Sequence, residues 1–270
     1  MGISRGRGVK YNIEQNKNNI IQEYLTSNYT SQELGEKYNC NEHTICEILK
    51  QAGIELHPGK RSSCNEKYFE VIDSPNKAYL LGFITADGAI IGKYNSSCAI
   101  EVHEKDKALI EFAQAEINPN ATITKCIGEK KHNYRINFSS KKICQDLEKY
   151  GIVPNKSKII ETIPEHLIPN NLLRYYFRGL IDGDGCIHIN GSISIYSGSE
   201  SFIKNVQECL VRLLNVSKLG IYHGTTYFIS WTKYSDRQKL YDFLYKNCLN
   251  DTFYYPRKYQ RLYDSLYDNT

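Results

Sequence analysis

Leu80-Leu81-Gly82-Phe83-Ile84-Thr85-Ala86-Asp87-Gly88 and Phe177-Arg178-Gly179-Leu180-Ile181-Asp182-Gly183-Asp184-Gly185 are two copies of one helix-ending pattern. Each is apolar, carries small residues four apart (Gly82/Ala86 and Gly179/Gly183) and stops on Asp-Gly. Small residues at i and i+4 share a helix face and let two backbones approach closely. Glycine just past a helix end takes positive φ freely, which is the expectation for Gly88 and Gly185. The acids are out of place. A helix C-terminus is the negative end of the macrodipole, and Asp87 and Asp184 add negative charge there. Packing the two copies together brings two carboxylates within repelling distance. A bound divalent cation resolves both conflicts.

The pattern resembles the LAGLIDADG family of homing endonucleases. Seven of nine positions of the second copy match, all but Phe177 and Arg178 when Gly183 is counted as a tolerated Ala; the first copy departs at Leu81, Phe83 and Thr85. Both copies keep the last Asp and both glycines. One short motif is weak evidence, but two in a duplicated context are strong. The resemblance covers about residues 75–270. It implies a single-chain, pseudo-two-fold α+β fold in which the motif helices form the interface between halves and two antiparallel sheets make a saddle over duplex DNA.

The residues following each motif repeat as well. The motif glycines Gly82 and Gly179 lie 97 residues apart (179 minus 82). Behind the first come strand-like stretches at 89–93 and 97–103, a helix at 105–117, strands at 121–127 and 133–139, and a helix at 141–150. Behind the second come strands at 186–190 and 192–197, a helix at 201–214, strands at 218–223 and 227–232, and a helix at 235–248. One αββαββα unit therefore occurs twice. Another helix is expected over 255–267, opened by Pro256. The reading divides the chain into a basic arm (1–10), a helix-turn-helix-like segment (11–57), a linker (58–74) and two repeats (75–167 and 168–270). Within the N-terminal segment, 19–26, 31–38 and 42–51 read as short helices. Thr30-Ser31-Gln32-Glu33 is a capping box, Asn41 is an N-cap, and Ile20, Ile21, Leu25, Leu34, Ile45, Ile48 and Leu49 form the core. Its last helix would offer His43, Thr44, Glu47 and Lys50 to a major groove, with Arg5 and Arg7 of the arm reaching the DNA backbone or minor groove.

The chain of 270 residues has a formal net charge of +4, which permits nucleic-acid binding without demonstrating it. The nine cysteines form no CxxC pair and no Cys/His zinc spacing, which points to a reducing compartment: cytoplasm, nucleoid or an organelle. Cys98, Cys144, Cys186 and Cys209 read as small buried hydrophobes. The apolar stretch 78–91 is interrupted by Asp87, so no membrane partner is expected.

Phosphodiester hydrolysis needs charge stabilised on the phosphate oxygens, a water activated and the leaving oxygen neutralised, and divalent metals supply all three. Asp87 and Asp184 are the catalytic and metal-binding candidates. The resemblance adds the carbonyls of Ala86 and Gly183 as metal-facing groups. It implies Mg²⁺, with Mn²⁺ substituting and Ca²⁺ bound without cleavage. It also implies a basic residue near Lys233, matched in the first repeat by the Ser140 slot with Lys141 beside it. Strand alternation sets a polar face of Lys131, Asn133, Arg135 and Asn137, joined by Glu101 and His103, and in the second repeat His188, Asn190, Ser194 and Tyr196. Arg and Asn on such a face suit guanine and adenine edges. The leading function is a site-specific, Mg²⁺-dependent double-strand endonuclease, monomeric on a long asymmetric target. A DNA-binding transcription regulator without cleavage and a maturase acting on intron RNA are the alternatives.

Overall fold

The computed structural model describes residues 7–26, 29–56, 64–92, 94–128 and 131–268, with the backbone alone at 7–12, 127 and 131. Arg5 and the side chains of Arg7 and Lys131 lie outside the described residues. The chain forms two compact units, Met1–Ser63 and Cys64–Thr270.

The first unit is all-helical: α1 (Arg7–Thr26), α2 (Ser31–Lys37) and α3 (Glu42–Gln51). Thr30 and Glu33 close the expected capping box, each accepting from the other's backbone N–H. Asn41 caps α3 by accepting from the His43 N–H at 3.0 Å. The turn between α2 and α3 holds Asn39 at a φ of 50°, in the left-handed region. Gly35 lets α2 lie on that turn, since a Cβ there would sit 3.0 Å from the Cys40 carbonyl oxygen. α1 begins at Arg7 rather than near Asn19, running through part of the expected basic arm. Its extra turns bring Ile13 into the core with Ile20, Tyr24, Leu34, Ile45, Ile48 and Leu49, while Leu25 is left 54% exposed, against expectation.

The second unit holds the two repeats. The first comprises α4 (Pro75–Asp87), β1 (Gly88–Ile91), β2 (Ser97–His103), α5 (Lys107–Ile117), β3 (Ile123–Gly128), β4 (Lys131–Phe138) and α6 (Lys141–Lys149). The second comprises α7 (Leu173–Asp184), β5 (Gly185–Ile187), β6 (Ile193–Ser197), α8 (Glu200–Leu214), β7 (Tyr222–His223), β8 (Tyr227–Trp231) and α9 (Tyr234–Leu244), and α10 (Pro256–Tyr267) closes the chain. Each repeat makes a four-stranded antiparallel sheet, ordered β1-β2-β4-β3 and β5-β6-β8-β7. Both halves share one apolar core in which α4 and α7 are almost wholly buried. Tyr68, Phe69 and Ile72, from the stretch the sequence assigns to a linker, are also buried in it.

Among the elements shorter than their sequence pattern, two are cut short by visible side-chain bonds. The strand expected from Lys218 shrinks to Tyr222–His223 because the side chain of Gln207 on α8 bonds both the N–H and the carbonyl of Leu219. α9 stops at Leu244 rather than Cys248 because two arginines of α7 take its terminal carbonyls. Arg174 donates to Asp242, Phe243 and Lys246, and the fully buried Arg178 to Leu244 and Cys248. Cys98, Cys144 and Cys209 are buried as expected, but Cys186 is half-exposed. Among the described residues no helix is long and apolar enough to cross a membrane.

Candidate active site

α4 and α7 touch backbone to backbone. A Cβ on Gly82 would sit 1.9 Å from the Tyr176 carbonyl oxygen, and one on Gly179 would sit 2.0 Å from that of Tyr79. A turn further on, a Cβ on Gly183 would sit 2.3 Å from that of Ala86 and 3.3 Å from Asp87 Oδ2. The small-residue face is therefore obligatory. The tyrosines beside it tie the helices reciprocally. Tyr79 Oη donates to Asp182 Oδ2 at 2.9 Å, and Tyr176 Oη to Thr85 Oγ1 at 3.4 Å. Asp182 and Thr85 are thus equivalent acceptors, which explains why the acid at that position can be replaced by a hydroxyl. Burial lifts Asp182 to about 6.

The crossing delivers Asp87 and Asp184 together at the two helix ends. Gly88 and Gly185 do not take positive φ; both are extended, at −79° and −91°. They are required by closeness instead, since a Cβ would meet Ile84 Cγ2 at 2.5 Å or the Ile181 carbonyl oxygen at 2.4 Å. Burial and the charge on Asp87 push Asp184 up to about 7. Burial also raises Asp87, opposed by Lys258 and Lys156. The macrodipole conflict is met by two buried lysines. Lys156 Nζ donates to the Ala86 and Gly88 carbonyls at 3.0 and 2.7 Å, and Lys258 Nζ to those of Ile181, Asp182 and Gly185 at 2.7, 2.6 and 2.7 Å. Burial lowers the pKa of both ammonium groups.

The model of the LAGLIDADG-like domain family matches residues 74–152 and again residues 171–244, more than half of the chain. The chain belongs to that family. Solved structures with a similar fold include the LAGLIDADG meganuclease I-AabMI bound to uncleaved DNA (16% identity, 72% of this chain and 89% of that one, TM-score 0.47). The homing endonuclease I-DmoI in complex with DNA and Ca has 17% identity over 72% of this chain and 96% of that one, with a TM-score of 0.47. The N-terminal LAGLIDADG domain of WhiA has 15% identity over 68% and 83%, with a TM-score of 0.43. No curated protein matches the chain.

Around the LAGLIDADG helices the other candidate residues divide. Among the described residues no cluster of three or more His, Cys, Asp or Glu makes a metal site by itself. The donors that fit a hard divalent cation are the paired carboxylates of Asp87, which is exposed, and Asp184, which is half-buried, a set that leaves room for phosphate oxygens and water. The Ala86 carbonyl is already bonded to Lys156, which sequence reading did not foresee; among the described residues no lysine bond reaches the Gly183 carbonyl. Lys141 and Lys233 stand exposed at the starts of α6 and α9 and line neither cavity beside the carboxylates. Lys156 and Lys258 line one each. Their only sequence signal was a lysine at a corresponding place beyond the last helix of each repeat.

On the first sheet Glu101, Asn133, Arg135 and Asn137 share the polar face, Glu101 opposite Arg135 and His103 opposite Asn133. Asn133 Nδ2 donates to Glu101 at 2.8 Å and Arg135 Nε to Asn137 at 3.1 Å. The second sheet differs from expectation. Ser194 is buried, bonded to His188 Nε2 at 2.9 Å and Ser230 Oγ at 2.8 Å. Asn190 accepts from the N–H and hydroxyl of Ser192 within the β5–β6 turn. What this face offers instead is a stacked row of Tyr196, Phe228 and Tyr222, with ring centroids 5.4 Å apart at each step. In the first unit, His43 and Lys50 are exposed and Thr44 half-exposed on α3, with His43 Nε2 3.3 Å from Glu47.

Proposed function

We propose that the protein is a site-specific double-strand DNA endonuclease of the homing type, acting as a monomer on an asymmetric target. The observation that carries this reading is the convergence of Asp87 and Asp184 at the ends of the crossed helices. Burial, with the charge of Asp87 added to it, lifts Asp184 to about 7, and placing two carboxylates together is of no use to a protein that only binds. Asp87 and Asp184 would hold divalent metal, Mg²⁺ in the first instance, which activates water and stabilises charge on the phosphate. Lys156 and Lys258 fix the helix ends that carry the carboxylates and lower the cost of ionising them. The unlike sheets, one polar with Arg135 and Asn137 and one aromatic with Tyr196 and Phe228, fit an asymmetric duplex better than a palindrome. The α2–turn–α3 arrangement supports a second duplex contact through His43, Thr44 and Lys50.

Asp87→Asn and Asp184→Asn test the reading. Each is expected to abolish double-strand cutting while duplex binding, measured in Ca²⁺, persists. Cutting by either variant would refute the assignment. Binding without cutting by the unmodified protein would favour a regulator.

A further inference from the structure

Two cavities, of about 400 and 230 Å³, lie beside the carboxylates, with Asp87 lining both and Asp184 the smaller. The sheet register shows that they are counterparts. Gly88 and Gly185 each open a strand, and they pair with Ile100 and Ile195. Counting onward from that equivalence, Glu101 corresponds to Tyr196 and His103 to Gly198. Across the ladder Asn133, opposite His103, corresponds to Thr226. Glu101, His103 and Asn133 line the larger cavity, and Tyr196, Gly198 and Thr226 the smaller. Each is completed by one buried lysine, Lys258 in the first and Lys156 in the second.

The counterparts are chemically unequal. His103 Nδ1 accepts the Lys105 N–H at 3.2 Å, so the neutral imidazole carries its proton on Nε2, a donor. Arg261 lines the same cavity and spends Nη1 on the Ile187 carbonyl, with other guanidinium donors to spare. Beside it Arg257 is committed to Asp106, at 2.8 Å. In the smaller cavity the position of His103 is a glycine, and the backbone keeps it so. A Cβ on Gly198 would sit 2.5 Å from the Ser157 carbonyl oxygen. Apart from Lys156, the described side chains lining the smaller cavity offer a phosphate only hydroxyl donors. Donors aimed at charge that develops during reaction accelerate it, and only one cavity has an imidazole and a guanidinium to aim.

We propose that the two DNA strands are cut at unequal rates, the strand at the larger cavity first, with His103 and Arg261 as the donors that make the difference. This rests on the endonuclease reading above. In each cut a water oxygen bonds to phosphorus, the bond from phosphorus to the leaving sugar oxygen breaks, and a proton of the water passes to that oxygen. His103 Nε2–H and Arg261 stabilise the phosphate oxygens as charge builds on them.

The test uses the full chain and a duplex carrying the site recovered from a randomised library, its strands labelled with different fluorophores. Single-turnover rates in Mg²⁺ are read for each strand, and duplex affinity by anisotropy in Ca²⁺. Nicked duplex should accumulate with the unmodified protein. His103→Ala should slow the first-cut strand on the order of 10- to 100-fold and the other by less than about 3-fold. His103→Gln, which keeps a donor, should recover most of the lost rate, and affinity should fall less than the rate does. Arg261→Met should slow the same strand. Equal rates for the two strands, or His103→Ala slowing both alike, would overturn the inequality while leaving the endonuclease reading standing. Cutting of neither strand by the unmodified protein would overturn both.

Discussion

Asp184→Asn is expected to make the metal-free protein more stable, by an amount that depends on pH. The folded protein holds Asp184 up at about 7 against an ordinary value of 3.8. Each pH unit of displacement is worth about 1.4 kcal/mol, so about three units amount to about 4 kcal/mol. The sign follows from proton binding. The folded state binds this proton more tightly than the unfolded state, so the wild-type protein loses stability as pH climbs from about 4 through about 7. Asparagine has no proton to lose and avoids that cost. The variant and the wild type should therefore be nearly equal at pH 4, with the variant ahead by about 4 kcal/mol at pH 8. Urea unfolding in EDTA measures this. Trp231, the single tryptophan, is fully buried in the second unit, so its fluorescence follows the unit concerned. A variant no more stable than wild type at pH 8, or an advantage that does not change with pH, would refute the claim that the fold makes Asp184 costly to ionise.

Mg²⁺ or Ca²⁺ should raise the stability of the wild-type protein at pH 8 and do so far less for Asp184→Asn, as differential scanning in each ion would show. Lys258→Met leaves three carbonyls of the α7 end without their donor. It should destabilise the second unit by about 3 kcal/mol and, by removing a cation, move the onset of cutting to higher pH. Gly179→Ala forces a methyl group to within 2.0 Å of the Tyr79 carbonyl oxygen and should cost about 3 kcal/mol or more in urea unfolding. Replacing His43, Thr44 and Lys50 together by Ala should weaken duplex binding about 10-fold or more while single-turnover cutting at saturating protein persists.

The fold was legible because the deciding residues act locally or at fixed spacing. Gly82/Ala86 and Gly179/Gly183 announce a close helix pair wherever they occur, and alternation in 131–138 announces a half-exposed strand. The capping box at Thr30 is likewise a matter of three residues. What sequence reading missed depends on contacts between residues far apart in the chain. Lys156 reaches the end of α4 across about 70 residues and Lys258 the end of α7 across about 75, and no local pattern marks either as buried. The resemblance implies basic residues near Lys141 and Lys233, but both stand in solvent at helix starts. Ser194 alternates as an outward residue should, yet His188 and Ser230 cover it. Glycine is required at Gly88 and Gly185 by a close neighbour and not by the expected positive φ. A positive φ and a close neighbour both select glycine, and only the folded geometry tells them apart.

The most direct test of the central claim is cutting of a randomised duplex library in Mg²⁺, with the ends sequenced and with Ca²⁺ and Asp184→Asn as controls. The account predicts one long, asymmetric, enriched site with a fixed stagger between strands, lost in both controls. A library left intact by the wild-type protein, or cut equally well by Asp184→Asn, would contradict it.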